Sequence, residues 1–436
     1  MPRRFRWLKS SRKVAPLAGV LVLALAVGAG VVVADPGHWF SSDNDWPYNN
    51  PGPAPVLASV GDISCQPTAP IGTEKASDVC SGGTAATTRD QAQNATAEQV
   101  EAMHPALVAV LGDEQYQNGL YSDFENSFDK YWGAFKMLQR PSPGNHEFYD
   151  NHGQNGVRGV GYFDYYNGIT HNAADGAEQE TTITSSTGGT TVQPNPQNQG
   201  QAGDYTANGV SGAGDGWYSY NLGHWHLISL NIECKYEPGG CSTTGAWFSA
   251  ETKWLQQDLA ENKEPCIAAY WHQPTFSSTA GATANGMGDS TEGDTADAWW
   301  KILYSHHATL ILNGHDHVYT RFAPMNPAGI ADPKNGIREF IIGTGGEALD
   351  TLAAPGLTTY GMPSTVQQAA DQWYGVMKFT LGDGWYKWDY QSAMEDPKFV
   401  PAGDTVYTNT YEDSGTGLCN GSDGIGGHGD QGNQDS

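Results

Sequence analysis

Short apolar runs that stop abruptly at a glycine or a polar residue recur along the chain. Val56-Leu57-Ala58-Ser59-Val60 stops at Gly61-Asp62, and Ala106-Leu107-Val108-Ala109-Val110-Leu111 stops at Gly112-Asp113. Uninterrupted runs of this length fit strands buried on both faces. Between them, Ala86 to Met103 is polar with helical spacing. Strand, helix and strand in that order predict a βαβ unit, which places chemistry at the carboxyl ends of its strands. Trp217 to Asn231 alternates apolar and polar residues and predicts a hairpin. Trp247 to Glu261 predicts a helix with Trp254, Leu255 and Leu259 on one face. Cys266 to Trp271 predicts a strand ending at His272, and Ala296 to Ser305 a helix. Ala308 to Leu312 predicts a strand ending at Asn313-Gly314-His315. Ile337 to Gly343 and Gly375 to Tyr390 predict further strands.

Three stretches lack this texture. Residues 35–54 are polar, with Pro and Asn, and predict a linker. Residues 173–216 are Thr, Gly, Gln, Asn and Ser with almost no apolar side chains, and predict a long surface insertion. Residues 397–436 form a C-terminal extension, whose Gly- and Asp-rich end after Cys419 predicts disorder. With these and the N-terminal segment set aside, residues 55–396 make one catalytic-sized domain, although 436 residues would by length suggest two or three.

Composition changes the picture in two ways. Charged residues are only 16%, while 14 Trp and 21 Tyr supply mass for a large core, which excludes wholesale disorder. The formal charge of −26 argues against a broad basic face for nucleic acid. The N-terminus is the exception. Arg3, Arg4, Arg6, Lys9, Arg12 and Lys13 precede an uncharged apolar stretch from Val14 to Ala34, and Val32-Val33-Ala34 offers a small-residue cleavage site. Residues 1–34 therefore predict a secretory signal, with no stable membrane anchor after its removal. The alternative is an uncleaved anchor through residues 14–34. Cleavage would remove those six positive charges and no negative ones, taking −26 to −32.

Six cysteines suit an exported, oxidising setting and show no zinc spacing. Proximity suggests Cys65 with Cys80 and Cys234 with Cys241, leaving Cys266 with Cys419, out of 15 connectivities open to six cysteines.

Five places stop at residues able to bind a metal: Asp62, Asp113-Glu114-Gln115-Tyr116, Asn145-His146-Glu147, His272, and His315-Asp316-His317. Oxygen and nitrogen donors of these types suit hard or borderline cations. Each alone has a bland reading as a cap, a turn or a packed side chain. Together and in order they resemble the calcineurin-like metallophosphoesterases, most closely the purple acid phosphatase branch. That family's G-D-x-x-Y, G-N-H-[DE] and G-H-x-H patterns match Gly112 to Tyr116, Gly144 to Glu147 and Gly314 to His317. Many relatives carry Asp-x-His at the first motif; here it is Asp62-Ile63-Ser64, and Tyr116 stands in, as in the purple branch.

The resemblance implies an α/β fold, a four-layer α/β/β/α sandwich of two mixed sheets with a dinuclear metal site at the strand ends. It implies that Asp62, Asp113, Tyr116 and His317 hold Fe(III), and that Asp113, Asn145, His272 and His315 hold Fe(II), Zn or Mn. Asp113 would bridge, and His146 would face the phosphoryl group. Two such ions outweigh two carboxylates and a phenolate, so an acidic protein could still receive an anionic substrate. The implied activity is secreted hydrolysis of small phosphate monoesters by attack of metal-bound hydroxide. The alternatives are a phosphodiesterase or nucleotidase on the same metals, or a secreted phosphate- or metal-binding protein.

One departure is visible: His272 is followed by Gln273-Pro274-Thr275-Phe276-Ser277-Ser278, where the purple branch places further histidines. His224, His226, His306, His307 and Asp316 are expected to be structural, as are Trp299-Trp300 and Tyr165-Tyr166. Asn94-Ala95-Thr96 and Asn420-Gly421-Ser422 are glycosylation sequons.

Overall fold

The computed structural model describes residues 53–67, 79–80, 87–149, 159–167, 181–184, 190–193, 216–236, 239–242, 244–280, 293–353, 363–399 and 410–420. The segment expected to be a signal, nearly all of the expected linker, most of the expected insertion and the chain after 420 lie outside these residues.

The apolar runs form the central strands. β1 (Val56–Val60), β2 (Leu107–Val110) and β3 (Gln139–Pro141) pair in parallel. Within the insertion, β4 (Thr181–Thr184) and β5 (Thr190–Gln193) form an antiparallel hairpin of their own. β6 (Tyr218–Leu222) and β7 (Trp225–Ser229) are the predicted hairpin, and β7 continues in parallel into β8 (Cys266–Tyr270) and β9 (Leu310–Asn313). β10 (Tyr319–Phe322), β11 (Arg338–Ile342) and β12 (Val366–Ala370) complete the second sheet, in which β11 runs parallel to β9. β13 (Trp373–Gly382), β14 (Trp385–Glu395) and β15 (Glu412–Leu418) extend the first sheet antiparallel to β1. The sheets thus read β15-β14-β13-β1-β2-β3 and β12-β10-β11-β9-β8-β7-β6. Both are mixed, as the sequence predicts. The first sheet runs on past residue 396, through β15.

The helices cover the outer faces. α1 (Thr88–Met103) is capped by Thr87, whose side chain accepts from the Asp90 N–H, and it packs on β1, β13 and β14. α2 (Val160–Asn167) buries Tyr162, Phe163, Tyr165 and Tyr166. α3 (Ala246–Glu261) and α4 (Gly293–Ser305) lie against each other. The continuous apolar runs of the second sheet serve two layers, because successive side chains point to opposite faces. Leu227, Ala268, Tyr270, Leu310, Leu312, Phe340 and Ile342 join the core shared with the first sheet. Ile228, Ile267, Ala269, Ile311 and Ile341 pack with Leu255, Leu259, Trp299, Trp300 and Leu303 of α3 and α4. Each leucine, isoleucine or phenylalanine among them contributes about 1.5–3 kcal/mol on burial.

The three disulfides are those that proximity suggested: Cys65–Cys80, Cys234–Cys241 and Cys266–Cys419. Trp299, Trp300, Tyr165 and Tyr166 are core residues. His226 is buried between Asn221 and Asp258, and His306 bonds the Ile302 carbonyl at the end of α4.

Candidate metal centre

The parallel strands of both sheets end at one edge, and the loops that leave them meet there. Asp62 follows β1, Asp113 follows β2, Asn145 and His146 follow β3, His272 follows β8, and His315 and His317 follow β9. The loops are laced by backbone bonds: Asp62 N–H donates to the Gly112 carbonyl, and Gly314 N–H to that of His272. Asp62, Asp113 and His315 sit at φ values of 60°, 48° and 67°. This left-handed region is rare for residues with a Cβ, and held strain of this kind clusters at functional sites.

The side chains converge. The Tyr116 hydroxyl lies 3.0 Å from Asp62 Oδ1 and from Asp113 Oδ2, and 3.1 Å from His317 Nε2. His317 Nε2 is 3.3 Å from Asp62 Oδ1. On the other side His272 Nε2 is 3.1 Å from Asp113 Oδ2 and 3.3 Å from His315 Nδ1. Asp113 is the member common to both groups. Single donor atoms of Asp113, His272 and His315 all fall within 4.8 Å of one another. Asn145 is buried beside them, donating to the Tyr149 hydroxyl at 3.0 Å and accepting from Gln273 at 3.4 Å. His146 N–H donates to Asp113 Oδ1 at 2.9 Å, and its ring rests 4.1 Å from that of Tyr116.

Two features fit the donor set to cations. First, His272 Nδ1 lies 2.8 Å from the Leu111 carbonyl and His317 Nδ1 2.7 Å from the Ala348 carbonyl. Each bond fixes the tautomer and turns Nε2 inward, as in metal-bound histidines. Second, two glycines leave the space these donors occupy. A Cβ on Gly112 would fall 2.5 Å from His272 Nδ1, and one on Gly144 2.3 Å from Asp113 Oδ1.

The electrostatics point the same way. Burial would lower the His272 imidazole, but the Asp113 carboxylate pushes it up to about 10. Burial is likewise outweighed at His317 by the bond to Asp62 and its charge, which push it up to about 10. Burial and the neighbouring His272 drive His315 down to about 3. Burial, Asp113 and Asp62 hold the Tyr116 phenol well above its ordinary value. Without cations, protons balance the buried carboxylates; a cation would displace them.

Sequence reasoning gave no role to several residues that build this edge. Glu147, in the glycine-asparagine-histidine motif, is fully buried and accepts from the N–H groups of Asp113, Gln115 and Gly144 at 3.0, 3.1 and 2.9 Å. It ties the second motif to the third; its invariably acidic place in the family pattern was the available signal. Asp350 accepts from His317 N–H, and Arg89 of α1 pairs with Glu347 at 2.6 Å. No local pattern marks these. Asp316, as expected, turns away and bonds Ser277.

A mixed two-sheet sandwich with this donor cluster at its strand ends defines a metallophosphoesterase type of architecture. The chain belongs to the calcineurin-like phosphoesterase family, whose model matches residues 60–319. It is similar to purple acid phosphatase 15 of Arabidopsis thaliana, 27% identical over 204 residues that cover 42% of this chain and 32% of that protein. It is also similar to an uncharacterised protein of Mycobacterium tuberculosis, 27% identical over 154 residues, 31% of this chain and 29% of that protein. The chain thus spans about a third of the length of the curated relatives it matches. Among solved structures, PhoD aligns with a TM-score of 0.50 at 11% identity, covering 85% of this chain and 70% of that one, a likeness of fold. The purple acid phosphatase PPD1 of yellow lupin aligns with a TM-score of 0.49 at 16% identity, covering 83% and 53%.

Proposed function

We propose that this chain is an exported phosphatase that hydrolyses small phosphate monoesters at two metal ions. The observation that carries the reading is the meeting of Asp62, Asp113, Tyr116, His272, His315 and His317 at one sheet edge, three of them in left-handed backbone. Asp62, Asp113, Tyr116 and His317 would hold the first ion, read as Fe(III) because a phenolate is a hard anionic donor. Asp113, Asn145, His272 and His315 would hold the second, read as Fe(II), Zn or Mn. The bound pair would activate water and draw negative charge from the phosphoryl oxygens. The sequence likeness to a purple acid phosphatase supports this assignment. Export is supported by three disulfides and by the signal-like N-terminus.

His146 would face the phosphoryl group. Its Nδ1 lies 2.7 Å from the Gln117 carbonyl, so the neutral ring presents Nε2 outward as an acceptor. Burial holds its imidazole below the ordinary value, and the Asp113 charge opposes this only in part. Its protonated form could give a proton to a leaving alkoxide.

The test pairs p-nitrophenyl phosphate with bis-p-nitrophenyl phosphate on the full chain loaded with iron and zinc or manganese. A purple or pink colour and faster monoester turnover are expected. A faster diester reaction would make it a diesterase, and no turnover of either would favour a binding protein. In the same assay His146→Ala should slow an alkyl phosphate more than an aryl one, whose leaving group needs no proton. Equal losses would remove His146 from that role.

A further inference from the structure

A phosphomonoester brings two negative charges to a chain of net charge −26, so a cation fixed beside the metal-binding side chains would matter to which ester it takes. The chain carries such a cation on a short loop after β7. Cys234–Tyr236 forms one helical turn, and the Cys234–Cys241 disulfide closes the loop that follows it. Tyr236 stacks on Phe148 with ring centroids 5.6 Å apart, and Tyr149 meets its edge at 6.0 Å. The turn is thereby fixed against the loop that bears Asn145 and His146.

Lys235 extends from this turn beside the Tyr236 ring and Glu233. Its Nζ is 5.1 Å from the Tyr236 ring and 4.0 Å from Glu233 Oε2, and its side chain is partly open to solvent. Glu233 is wholly buried and accepts from Gln273 at 2.6 Å, and Gln273 in turn approaches Asn145. The chain of contacts Lys235, Glu233, Gln273, Asn145 runs from solvent to the candidate centre. Tyr149 is 36% exposed and rests 4.7 Å from the His146 ring, so this wall faces the same space as His146.

Resting on the phosphatase reading above, we propose that Lys235 is a substrate-binding residue that takes up the second negative charge of a phosphomonoester dianion. In a diester the oxygen that would bear this charge is esterified and uncharged, so the diester gains less from the ammonium. Lys235 thereby sets a preference for monoester over diester. A lysine suits this place because its compact charge sits on a flexible stem that can follow the ligand.

The experiment measures kcat and KM for p-nitrophenyl phosphate and bis-p-nitrophenyl phosphate in the metal-loaded full chain. Lys235→Met should lower monoester kcat/KM roughly tenfold, the size of one hydrogen bond to a charged group, and lower that of the diester by a clearly smaller factor. Inhibition by inorganic phosphate should weaken in parallel, and Lys235→Arg should recover most of both. Lys235→Gln repeats the test with a polar side chain of similar reach. An unchanged monoester-to-diester ratio in Lys235→Met and Lys235→Gln overturns the proposal, as does an unchanged phosphate inhibition constant. If the unaltered protein turns over neither ester, it is the phosphatase reading that fails.

Discussion

Asp62, Asp113 and His315 hold left-handed backbone that costs on the order of 1–3 kcal/mol each, and the loops around them pin it. Their identities were legible in the sequence, since each follows a glycine at the end of an apolar run. Their backbone angles were not, because these depend on bonds from distant strands such as His315 N–H to Asp62 Oδ2. Glu339 teaches the same lesson away from the cluster. It sits mid-strand in β11, fully buried, and accepts from the N–H groups of Thr275 and Phe276 at 3.1 and 3.4 Å. It thus supports the loop that follows His272. Burial holds its carboxyl well above the ordinary 4.5, against the pull of those two donors. The folded chain therefore keeps this proton at pH values where the unfolded chain has lost it. The associated stability is complete below the unfolded value and is lost as pH rises toward the folded one. Glu339→Gln retains the accepting oxygen but cannot titrate. Its melting temperature relative to the natural chain should increase as pH rises above the ordinary carboxyl value of 4.5. Thermal unfolding at fixed metal content measures this, and a difference that does not vary with pH would contradict it.

At the scale of elements, the strands were readable because burial on both faces writes itself as an unbroken apolar run. β15 was not readable. Its Glu412-to-Leu418 sequence carries two glycines and no apolar run, and it is a strand because β14 offers an open edge. The loop motifs were readable as motifs, but the reason for their glycines is spatial. Gly144 lets β3's loop approach Asp113 so closely that a Cβ would lie 2.3 Å from its Oδ1 and 2.4 Å from its backbone nitrogen. Gly144→Ala must therefore push Asp113 out of place. Because that carboxylate belongs to both donor groups, metal content measured by elemental analysis should fall for both ions together. The overpacking should also lower stability by about 1–3 kcal/mol. Full metal content in the variant would show that Asp113 is not shared.

Across the whole molecule, the site and one of the three disulfides, Cys266–Cys419, occupy opposite ends. The parallel strands carry the donors at their carboxyl ends, whereas Cys266 begins β8 and Cys419 follows β15, so their disulfide joins the two sheets at the far edge. Asn420 reinforces that junction: its side chain donates to the Ala308 and Gly336 carbonyls at 2.7 and 2.8 Å, where the strands β9 and β11 begin. A side chain so engaged is a poor glycan acceptor, although the sequon around it is intact. The sequence suggested this disulfide only by elimination; the paired sheets give it a purpose. It spans 153 residues, and in the chain-entropy picture a closed loop of that size stabilises by about 5 kcal/mol. The double variant Cys266→Ser with Cys419→Ser should thus unfold at markedly lower denaturant. Below that transition its metal content, colour and kcat should match those of the natural chain, because Cys266 and Cys419 lie at the opposite ends of their strands from the donors. Chemical unfolding followed by both tryptophan fluorescence and activity separates the two effects. If activity is lost while fluorescence still reports the folded state, the two ends of the sandwich are coupled and the sheets do not act as a rigid frame.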